Sequence, residues 1–383
     1  MLVTRSKIPQ RTNSAVRKTP EGILPFDDGN DFPQWCIDLL YSSGVASYCV
    51  DLWSRFIEGQ GMTDEAFYRA VINSEMLTVD ELLRWISLDY ARHNGFCMHI
   101  NYDATYKITE VRYVPFRDAR LIHPDSEINQ GKIAVYDDWG RRTRKNIKAE
   151  AIQYIDKFNP DPVVIEKQVE AAKGWENYKG QILWFSAMGK DYPLPMYDSV
   201  REDIETDSRI KSHRRKKSAN GFNADYLYIT GKFESDDDRE DAQSNLEDNM
   251  GATAAGNIVF VEVERKEDAP TLVKIDKADS KGDFYLVNET AVQGNIRKRF
   301  GILPPLAGEA IQGMGISQAI TEASNFMNGM TSRERRKVEE TFKRVFTLFS
   351  DPAISKTKDF SIIKLQLTEL PMMGFAPEKQ PAA

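Results

Sequence analysis

The segment Tyr192–Phe222, YPLPMYDSVREDIETDSRIKSHRRKKSANGF, decides how the rest of the chain is interpreted. Pro193 and Pro195 precede a helical pattern, which predicts a helix of about 24 residues, roughly 36 Å long, over Met196–Ala219. Acidic side chains dominate its first half and basic side chains its second half, an order that complements the helix dipole. Its apolar stripe is short, consisting of Tyr197, Val200, Ile204 and Ile210. A helix this polar either bridges solvent or packs beside copies of itself.

A small module and a second helix follow this segment. Asn220 and Gly221 end the first helix, and the module that follows reads as a strand (DYLYITG), a helix begun by acidic residues, a Gly/Ala loop, and the strands NIVFVEVE and TLVKID. A helix is predicted over Asp283–Phe300. The irregular stretch GILPPLAGEAIQGMGIS then leads into a very long helix from Ile316 to Thr347. The chain closes with FSIIKLQL, a strand that we expect to pair with strands far away in sequence.

The first half of the chain predicts a mixed helical and sheet body. Apolar residues recur at three- and four-residue steps from Ile37 to Phe56, which predicts one helix. Thr78 and Glu81 have the spacing of a capping box and open a second helix. A period of two from Phe96 to Val114 predicts two strands around a turn near Asp103. Further strands are RLIHP, KIAVYDDW and AIQYIDKF, and QILWFSA is the one strand expected between residues 160 and 192.

Composition excludes several classes of protein. The 383 residues carry 51 Lys and Arg against 58 Asp and Glu, a net charge of −7, which argues against a uniformly basic nucleic-acid binder. No apolar run is long enough to span a bilayer, and the N-terminus lacks the apolar core of a signal peptide. Three cysteines cannot form a disulfide framework. We therefore expect a soluble intracellular protein of two or three domains that does not bind membranes.

The candidate chemical motifs are weak. GEAIQGMGIS lacks the Lys of a phosphate-binding loop, and no strand precedes it. His93, Cys97 and His99 lie close together in sequence but lack a fourth metal ligand, so packing is the preferred interpretation. Glu264 and Lys266 form the E-x-K pattern of Mg²⁺-dependent nucleases, for which Asp225 is the convenient upstream carboxylate. The pattern is common on charged hairpins, and we expect no catalytic residue, no bound metal and no cofactor.

The order of elements resembles the portal proteins of tailed double-stranded DNA bacteriophages. The segment Tyr192–Phe222 is similar to the first stem helix of that family and its exit, and IRKRFGILPPLAGE is similar to the return helix and its ending. The stretch GMGISQAITEASNFMNGMTSRERRKVEETFKRVF resembles the long helix after the tunnel loop, and Trp85–Val114 resembles part of the wing. The resemblance covers roughly residues 35–370.

The resemblance implies an α+β fold of the portal type, with a wing, stem helices, a small α/β clip and a long spine helix. Its parts would be a flexible basic N-terminal arm over 1–31, a wing over 32–192, a first stem helix over 193–220, a clip over 221–281, a second stem helix over 282–300, a tunnel loop over 301–316, a spine helix over 317–350, and a C-terminal strand returning to the wing with a flexible tail over 351–383. We expect no substantial crown domain. For the arm, we favour a disordered terminus over a specific nucleic-acid contact.

The resemblance also implies a function and its residues. The protein would form a ring of about twelve subunits at one capsid vertex of the virion, after assembly in the host cytoplasm, and double-stranded DNA would pass through it without sequence-specific contact. The terminase large subunit and then a head-completion adaptor would dock on the clip, and major capsid and scaffolding proteins would surround the ring. The residues assigned to the DNA channel are Arg214, Arg215, Lys216, Lys217, Leu303, Pro304, Gln312 and Met314. Those assigned to clip docking are Asp236, Asp237, Asp238, Glu262 and Glu264.

Two other functions remain open from the sequence. One is a Mg²⁺-dependent nuclease or related DNA-processing enzyme that uses Glu264 and Lys266. The other is a cytoplasmic adaptor that binds its partner through the basic arm over residues 1–31.

Overall fold

The structure, a computed structural model, describes residues 22–27, 29–123, 126–137, 139, 151–189, 192–219, 226–231, 258–263, 283–309 and 315–367. The chain divides into two compact units. The first consists of Met1–Ile204 and Gly294–Ala383, and the second of Glu205–Gln293. The division falls inside two helices, over Arg201–Ala219 and Asp283–Arg299. None of the described helices is long and apolar enough to cross a membrane.

The first unit alternates helices with short strands. In chain order, its described elements are α1 (Phe32–Ser42), α2 (Gly44–Glu58), α3 (Glu65–Tyr68), α4 (Val79–His93), β1 (Gly95–Tyr102), β2 (Ile108–Val114), β3 (Ala119–Leu121), β4 (Lys132–Val135), β5 (Gln153–Lys157), α5 (Pro162–Ala171) and β6 (Gln181–Ser186). The first part of α6 (Arg201–Ala219), the end of α7 (Asp283–Arg299), and α8 (Ile316–Met330), α9 (Ser332–Phe346) and α10 (Pro352–Ser355) complete it. The mixture confirms an α+β class.

The strands of the first unit form one mixed sheet. Among the described residues its order is β2-β1-β6-β5-β4-β3, in which β5 and β6 are parallel and the other neighbours antiparallel. The predicted strand pair lies in register with Met98 opposite Tyr113. Helix α4 precedes β1 and begins with the predicted capping box, since the Thr78 side chain accepts from the Glu81 amide. Its left-handed cap at Asn94 turns the chain directly into β1.

Both outer strands of this sheet are covered by other segments. Beside β3, the Leu24 amide donates to the Leu121 carbonyl at 2.8 Å. Beside β2, the Val111 amide donates to the Ile72 carbonyl at 3.0 Å, and the Ser350 amide donates to the Ile108 carbonyl at 2.7 Å. Because these edge groups are already bonded, the described edges present little free backbone for pairing with another chain.

The predicted arm over residues 1–31 is wrong in its last third. Residues 1–21 lie outside the described residues, but Ile23 and Phe26 are buried. The Phe26 ring lies 3.9 Å from the Tyr192 ring, measured between centroids. The wholly buried guanidinium of Arg120 donates to the Asn30 side chain at 2.6 Å and to the Asn30 carbonyl at 2.7 Å. An extended segment has no helical period, which is why the sequence pattern missed this packing.

The single helix predicted from Ile37 to Phe56 is wrong. The chain breaks at Ser43, whose hydroxyl accepts from the Ala46 amide at 3.1 Å and so caps α2. The predicted apolar face is shifted as well, because Tyr41 and Tyr48 are exposed. Helix α5 was not predicted, although Asp161 caps it and Pro162 occupies its first turn.

The predicted long spine helix over 317–350 is wrong as one continuous element. It is divided at Thr331 into α8 and α9. The Thr331 hydroxyl donates to the Met327 carbonyl, and the buried Arg335 donates to the Phe56 carbonyl at 2.9 Å and to the Asn328 carbonyl at 2.8 Å. These bonds satisfy carbonyls near the ends of α2 and α8, so the break is built into the core.

The terminal segment FSIIKLQL pairs with a segment far away in sequence, as predicted, but it does not join the six-stranded sheet. It lies in extended form beside residues 60–63 through a bridge between Met62 and Ile362. The Gln60 amide donates to the Ile363 carbonyl, and the Ile363 amide donates to the Gly61 carbonyl, each at 2.9 Å. Gly59 permits this approach: its φ is 69°, and a Cβ there would lie 2.1 Å from the Ile363 carbonyl oxygen.

Among the described residues, the second unit contains the later part of α6, two strands and most of α7. Strands β7 (Tyr226–Gly231) and β8 (Ile258–Val263) match two of the predicted clip strands and pair in parallel. The predicted clip helix, the Gly/Ala loop and the strand TLVKID lie outside the described residues. Helix α6 begins at Arg201 rather than at Met196, after a 3₁₀ turn over Asp198–Val200.

Candidate functional site

The basic end of α6 contains four of the residues assigned to the channel. Arg214 is exposed, and its Nη1 lies 2.6 Å from the Glu289 carboxylate on α7. Arg215 is exposed as well. Lys216 and Lys217 belong to the same helix, but their side chains lie outside the described residues. The positive charge of Arg214 is therefore partly compensated within the chain.

The middle of α6 carries a buried carboxylate. Asp207 is fully buried, and its oxygens accept from Lys211 Nζ at 2.7 Å and from Gln293 Nε2 at 3.1 Å. Arg209 pairs with Glu205 one helical turn earlier, at 3.2 Å. A buried carboxylate is tolerated only when its oxygens are bonded, so Asp207 fixes the α6–α7 contact inside the second unit. Apolar burial on α6 is restricted to a few side chains such as Ile204 and Ile210.

The stretch assigned to the tunnel loop is partly ordered by its own hydrogen bonds. Leu303 is exposed, and Pro304 begins a 3₁₀ turn over Pro304–Ala307 that ends at Gly308 in the left-handed conformation. The Glu309 amide donates to the Pro304 carbonyl at 2.9 Å, and the Glu309 side chain pairs with Arg297. Gln312 and Met314 lie outside the described residues.

The residues assigned to clip docking are mostly not described. Asp236, Asp237, Asp238 and Glu264 lie outside the described residues. Glu262 lies in β8, where its backbone is opposite Thr230 of β7. The clip-docking assignment and the nuclease motif therefore stay predictions. Among the described residues, no group of three His, Cys, Asp or Glu side chains could hold a metal ion.

The histidines near β1 serve packing, as the sequence suggested. His93 is buried and its ring stacks on Phe116 at 5.3 Å between centroids. Burial, together with the positive charges of nearby arginines, lowers the pKa of His93 to about 3. His99 Nε2 donates to the Lys179 carbonyl at 2.6 Å, which occupies one ring nitrogen, and Cys97 is buried in the same strand. The pKa of His99 is also lowered by burial.

Buried charges that sequence patterns did not single out organise the first unit. Desolvation lowers the pKa of Arg120 to about 10, and its guanidinium also donates to the Arg117 and Ala119 carbonyls. Desolvation raises the pKa of Asp89 to about 6, even though Asp89 accepts from the Tyr113 hydroxyl and the Phe116 amide. A charged residue inside an apolar strand or helix was the available signal, as with Arg120 in the stretch ARLI.

Comparison with known proteins finds a shared fold but no related sequence. No protein-family model matches the sequence, and neither does any curated protein. A solved structure shares the fold: a chain from the neck of an empty gene transfer agent (GTA) particle with C6 symmetry, at a TM-score of 0.53 and 11% identity. The match covers 88% of this chain and 85% of that one.

Two further solved chains give weaker matches. One belongs to the neck of a native GTA particle with C12 symmetry, at a TM-score of 0.48, 12% identity, and coverage of 85% of this chain and 87% of that one. The other belongs to the virion of a native GTA particle, at a TM-score of 0.43, 10% identity, and coverage of 80% and 88%.

Proposed function

We propose that this chain is a structural subunit of the head-to-tail junction of a phage-like virion, where it assembles with copies of itself into a ring. The observation that carries the proposal is the fold shared with a neck chain over 88% of this sequence. The neck of that particle was computed with C6 symmetry, and cyclic symmetry is the arrangement expected of a closed ring. At 11% identity the likeness concerns the fold, so the role in this protein requires its own test.

The finer proposal is that the ring is the portal at one capsid vertex. Its support is the order of elements: a mixed body, a long charged helix, a small module, a return helix and two further helices. In this role double-stranded DNA passes through the ring during packaging and ejection. The terminase large subunit, then a head-completion adaptor, dock on it, and capsid and scaffolding proteins surround it. Its work is structural, and it uses no enzyme chemistry, cofactor or metal.

The charge distribution suits DNA as cargo rather than as a tightly held ligand. The net charge of −7 per subunit repels phosphate from most of the surface. Exposed cations such as Arg215 at the end of α6 provide weak contacts to the phosphate backbone that do not depend on base sequence. Such contacts weaken steeply with salt, so DNA can move along the channel.

Electron microscopy of the purified full chain tests this proposal. The expected images are rings with a central hole. A protein that stays strictly monomeric at high concentration contradicts it. Incubation with DNA and Mg²⁺, beside a Glu264→Gln variant, tests the structural role. We expect no cleavage by either protein. Cleavage by the wild type but not by the Glu264→Gln variant would instead indicate a nuclease.

A further inference from the structure

Exposed basic side chains line one face of α9, which we call the α9 stripe: Arg333, Arg336, Lys343 and Arg344. At 3.6 residues per turn, these four positions fall within an arc of about 100° around the helix axis, and the helix rises about 16 Å from the first to the last. The opposite face of α9 is buried, and its core residues are Val338, Phe342 and Val345. Packing of that face therefore fixes the side of the helix that carries the stripe.

The carboxylates of α9 are engaged elsewhere. Glu340 is the one exposed acid of this helix, and it pairs with Lys337 at 2.7 Å. Glu339 accepts from the Ile362 amide at 2.8 Å. Glu334 is half-buried, with its Oε2 atom inside the protein, and burial raises its pKa although the neighbouring arginines oppose the shift. The acids of α9 therefore leave most of the stripe charge uncompensated.

The cations of the stripe are available to an external anion. Arg333, Arg336 and Lys343 form no ion pair with any other residue that the structure describes. Arg344 packs its guanidinium over the Phe158 ring, 4.9 Å from the centroid, and stays exposed. The stripe differs in this respect from the basic end of α6, where an arginine is already paired with a glutamate of α7.

The C-terminal segment beside α9 adds further positive charge. The bond from the Ile362 amide to Glu339 places this segment against the helix. Its exposed charged residues are Lys356, Lys358, Lys364, Asp351 and Asp359. Both aspartates accept backbone amides within their own turns, at 2.8 Å and 2.9 Å. The described surroundings of the stripe are therefore basic, in a chain whose net charge is −7.

The composition of this face fits phosphate better than a protein partner. None of the exposed residues of α9 is apolar: they are Ser332, Arg333, Arg336, Glu340, Lys343 and Arg344. The centre of a protein contact is apolar and depleted of charge, so a protein would bury little apolar surface here. Arginine can donate to two phosphate oxygens at once, and lysine supplies a point charge. A duplex carries one charge per about 1.7 Å of its axis, so a stripe of about 16 Å can meet several phosphates.

We propose that the α9 stripe is a contact surface for the phosphate backbone of duplex DNA, in addition to the basic end of α6. The inference rests on the proposed function, which supplies DNA as the cargo. It assigns a DNA contact to the first unit, whereas the basic end of α6 belongs to the second unit. Contacts to phosphate alone carry no sequence information, so the stripe should bind duplexes of any sequence equally.

Removal of three charges from the stripe tests the proposal. In the stripe variant, which combines Arg333→Gln, Arg336→Gln and Lys343→Gln, the slope of log affinity against log salt should become shallower by about 0.9 for each lost phosphate contact, or about 2.7 for all three. Arg344 is kept because its guanidinium packs on Phe158. Fluorescence anisotropy of the full chain with two duplexes of equal length and unrelated sequence measures the slope, which should be the same for both duplexes.

Two further variants provide the controls. Arg84→Gln combined with Lys167→Gln and Lys173→Gln removes the same number of positive charges from exposed positions of the first unit outside the stripe. This charge-matched control should keep the wild-type slope. Arg333→Lys with Arg336→Lys keeps both charges of the stripe and should keep the slope as well. That variant separates the effect of charge from any change in the helix.

The outcomes separate this inference from the proposed function, with electron microscopy of each variant beside the binding measurement. Equal slopes for the stripe variant and the charge-matched control, in a protein that forms rings, overturn the DNA contact and leave the ring intact. Loss of rings in the stripe variant alone assigns the stripe to a contact between proteins and also overturns the inference. A wild type that never forms rings overturns the proposed function, while a shallower slope in the stripe variant alone still supports the stripe.

Discussion

Arg335 illustrates how a single buried residue can hold three helices together. Its guanidinium donates to the Phe56 carbonyl of α2, and to the side chain and carbonyl of Asn328 on α8. The Asn328 amide in turn donates to the Leu365 carbonyl at 2.8 Å. Burial lowers the pKa of Arg335, yet the group stays charged at neutral pH because the pKa of an arginine is very high.

Removal of this guanidinium should destabilise the protein. In Arg335→Met, the buried carbonyls of Phe56 and Asn328 lose the guanidinium donor, and the Phe56 carbonyl keeps only the long bond from Thr331; the loss should lower the free energy of unfolding by about 3 kcal/mol. Arg336→Met is the matched control, because Arg336 is exposed on the same helix, and it should change stability by less than about 0.5 kcal/mol. Denaturant unfolding measures both. Equal stabilities of the two variants would contradict this role of Arg335.

His93 should make the free energy of unfolding depend on pH. Its pKa is about 3 in the folded protein against an ordinary value of 6.5, so the unfolded chain binds a proton first as the pH falls. Stability is therefore complete above pH 6.5 and is lost between 6.5 and about 3, at about 1.4 kcal/mol per pH unit. Asp89 acts in the opposite direction between 3.8 and about 6, because its pKa is raised.

The variant His93→Phe isolates the contribution of His93. It keeps an aromatic ring beside Phe116 and retains Asp89, so the opposing carboxylate effect cancels when the two proteins are compared. Between pH 7 and pH 5, the wild type should lose about 2 kcal/mol more stability than the variant. Unfolding curves at the two pH values provide the measurement. Parallel losses in both proteins would contradict a neutral, buried His93.

At the scale of elements, several local signals predicted the structure correctly, although the Ser43 cap and helix α5 were missed, and contacts between distant segments were not predicted. The capping box of Thr78 and Glu81 and the alternation of β1 and β2 are contained in neighbouring residues, so the sequence predicted them. The division of the spine at Thr331 depends on Phe56, which lies 275 residues earlier. The covering of the β3 edge depends in the same way on an extended segment near Leu24 that has no helical period.

The candidate site follows the same rule. The run Arg214–Lys217 identifies the basic end of α6, and the described part places Arg214 and Arg215 on its surface. The partner of Arg214 is Glu289, 75 residues later on α7, which no local pattern connects to it. The sequence therefore predicted where the basic side chains of α6 lie, but it did not predict which acidic residue pairs with Arg214.

Gly59 is predicted to control the docking of the C-terminal segment. In Gly59→Ala the new methyl group meets the Ile363 carbonyl, and the positive φ adds strain, so the loss of stability should exceed about 1 kcal/mol. Gly329→Ala is the control. Its Cβ meets nothing within 4 Å in α8, and it should gain about 0.5–1 kcal/mol. Thermal unfolding distinguishes the two signs, and a gain in both variants would contradict the close approach at Gly59.

The ion pair on α6 and α7 predicts a response to DNA. In Glu289→Gln, Arg214 loses its partner and can contact phosphate. The slope of log affinity against log salt should therefore steepen by about 0.9 for each added contact. Arg215→Gln should make the slope shallower. Glu65→Gln is the control, because it releases Arg69 from an exposed pair on α3. Fluorescence anisotropy with duplex DNA measures the slopes, and an effect of Glu65→Gln equal to that of Glu289→Gln would contradict a channel role for Arg214.

At the scale of the whole molecule, the acidic net charge and the scattered cations are parts of one account. In the proposed ring, acidic subunits would repel DNA from most of the surface, and sparse exposed arginines would guide it weakly. The fold is shared with a chain from the neck of a GTA particle.

Native mass measurement of the full-length protein tests the central claim most directly. For the proposed portal ring of about twelve copies, the account predicts one dominant closed species with a mass of about twelve times the 43.7 kDa of a single chain. A protein that remains at the mass of one chain, at every concentration up to its solubility limit, would contradict the account.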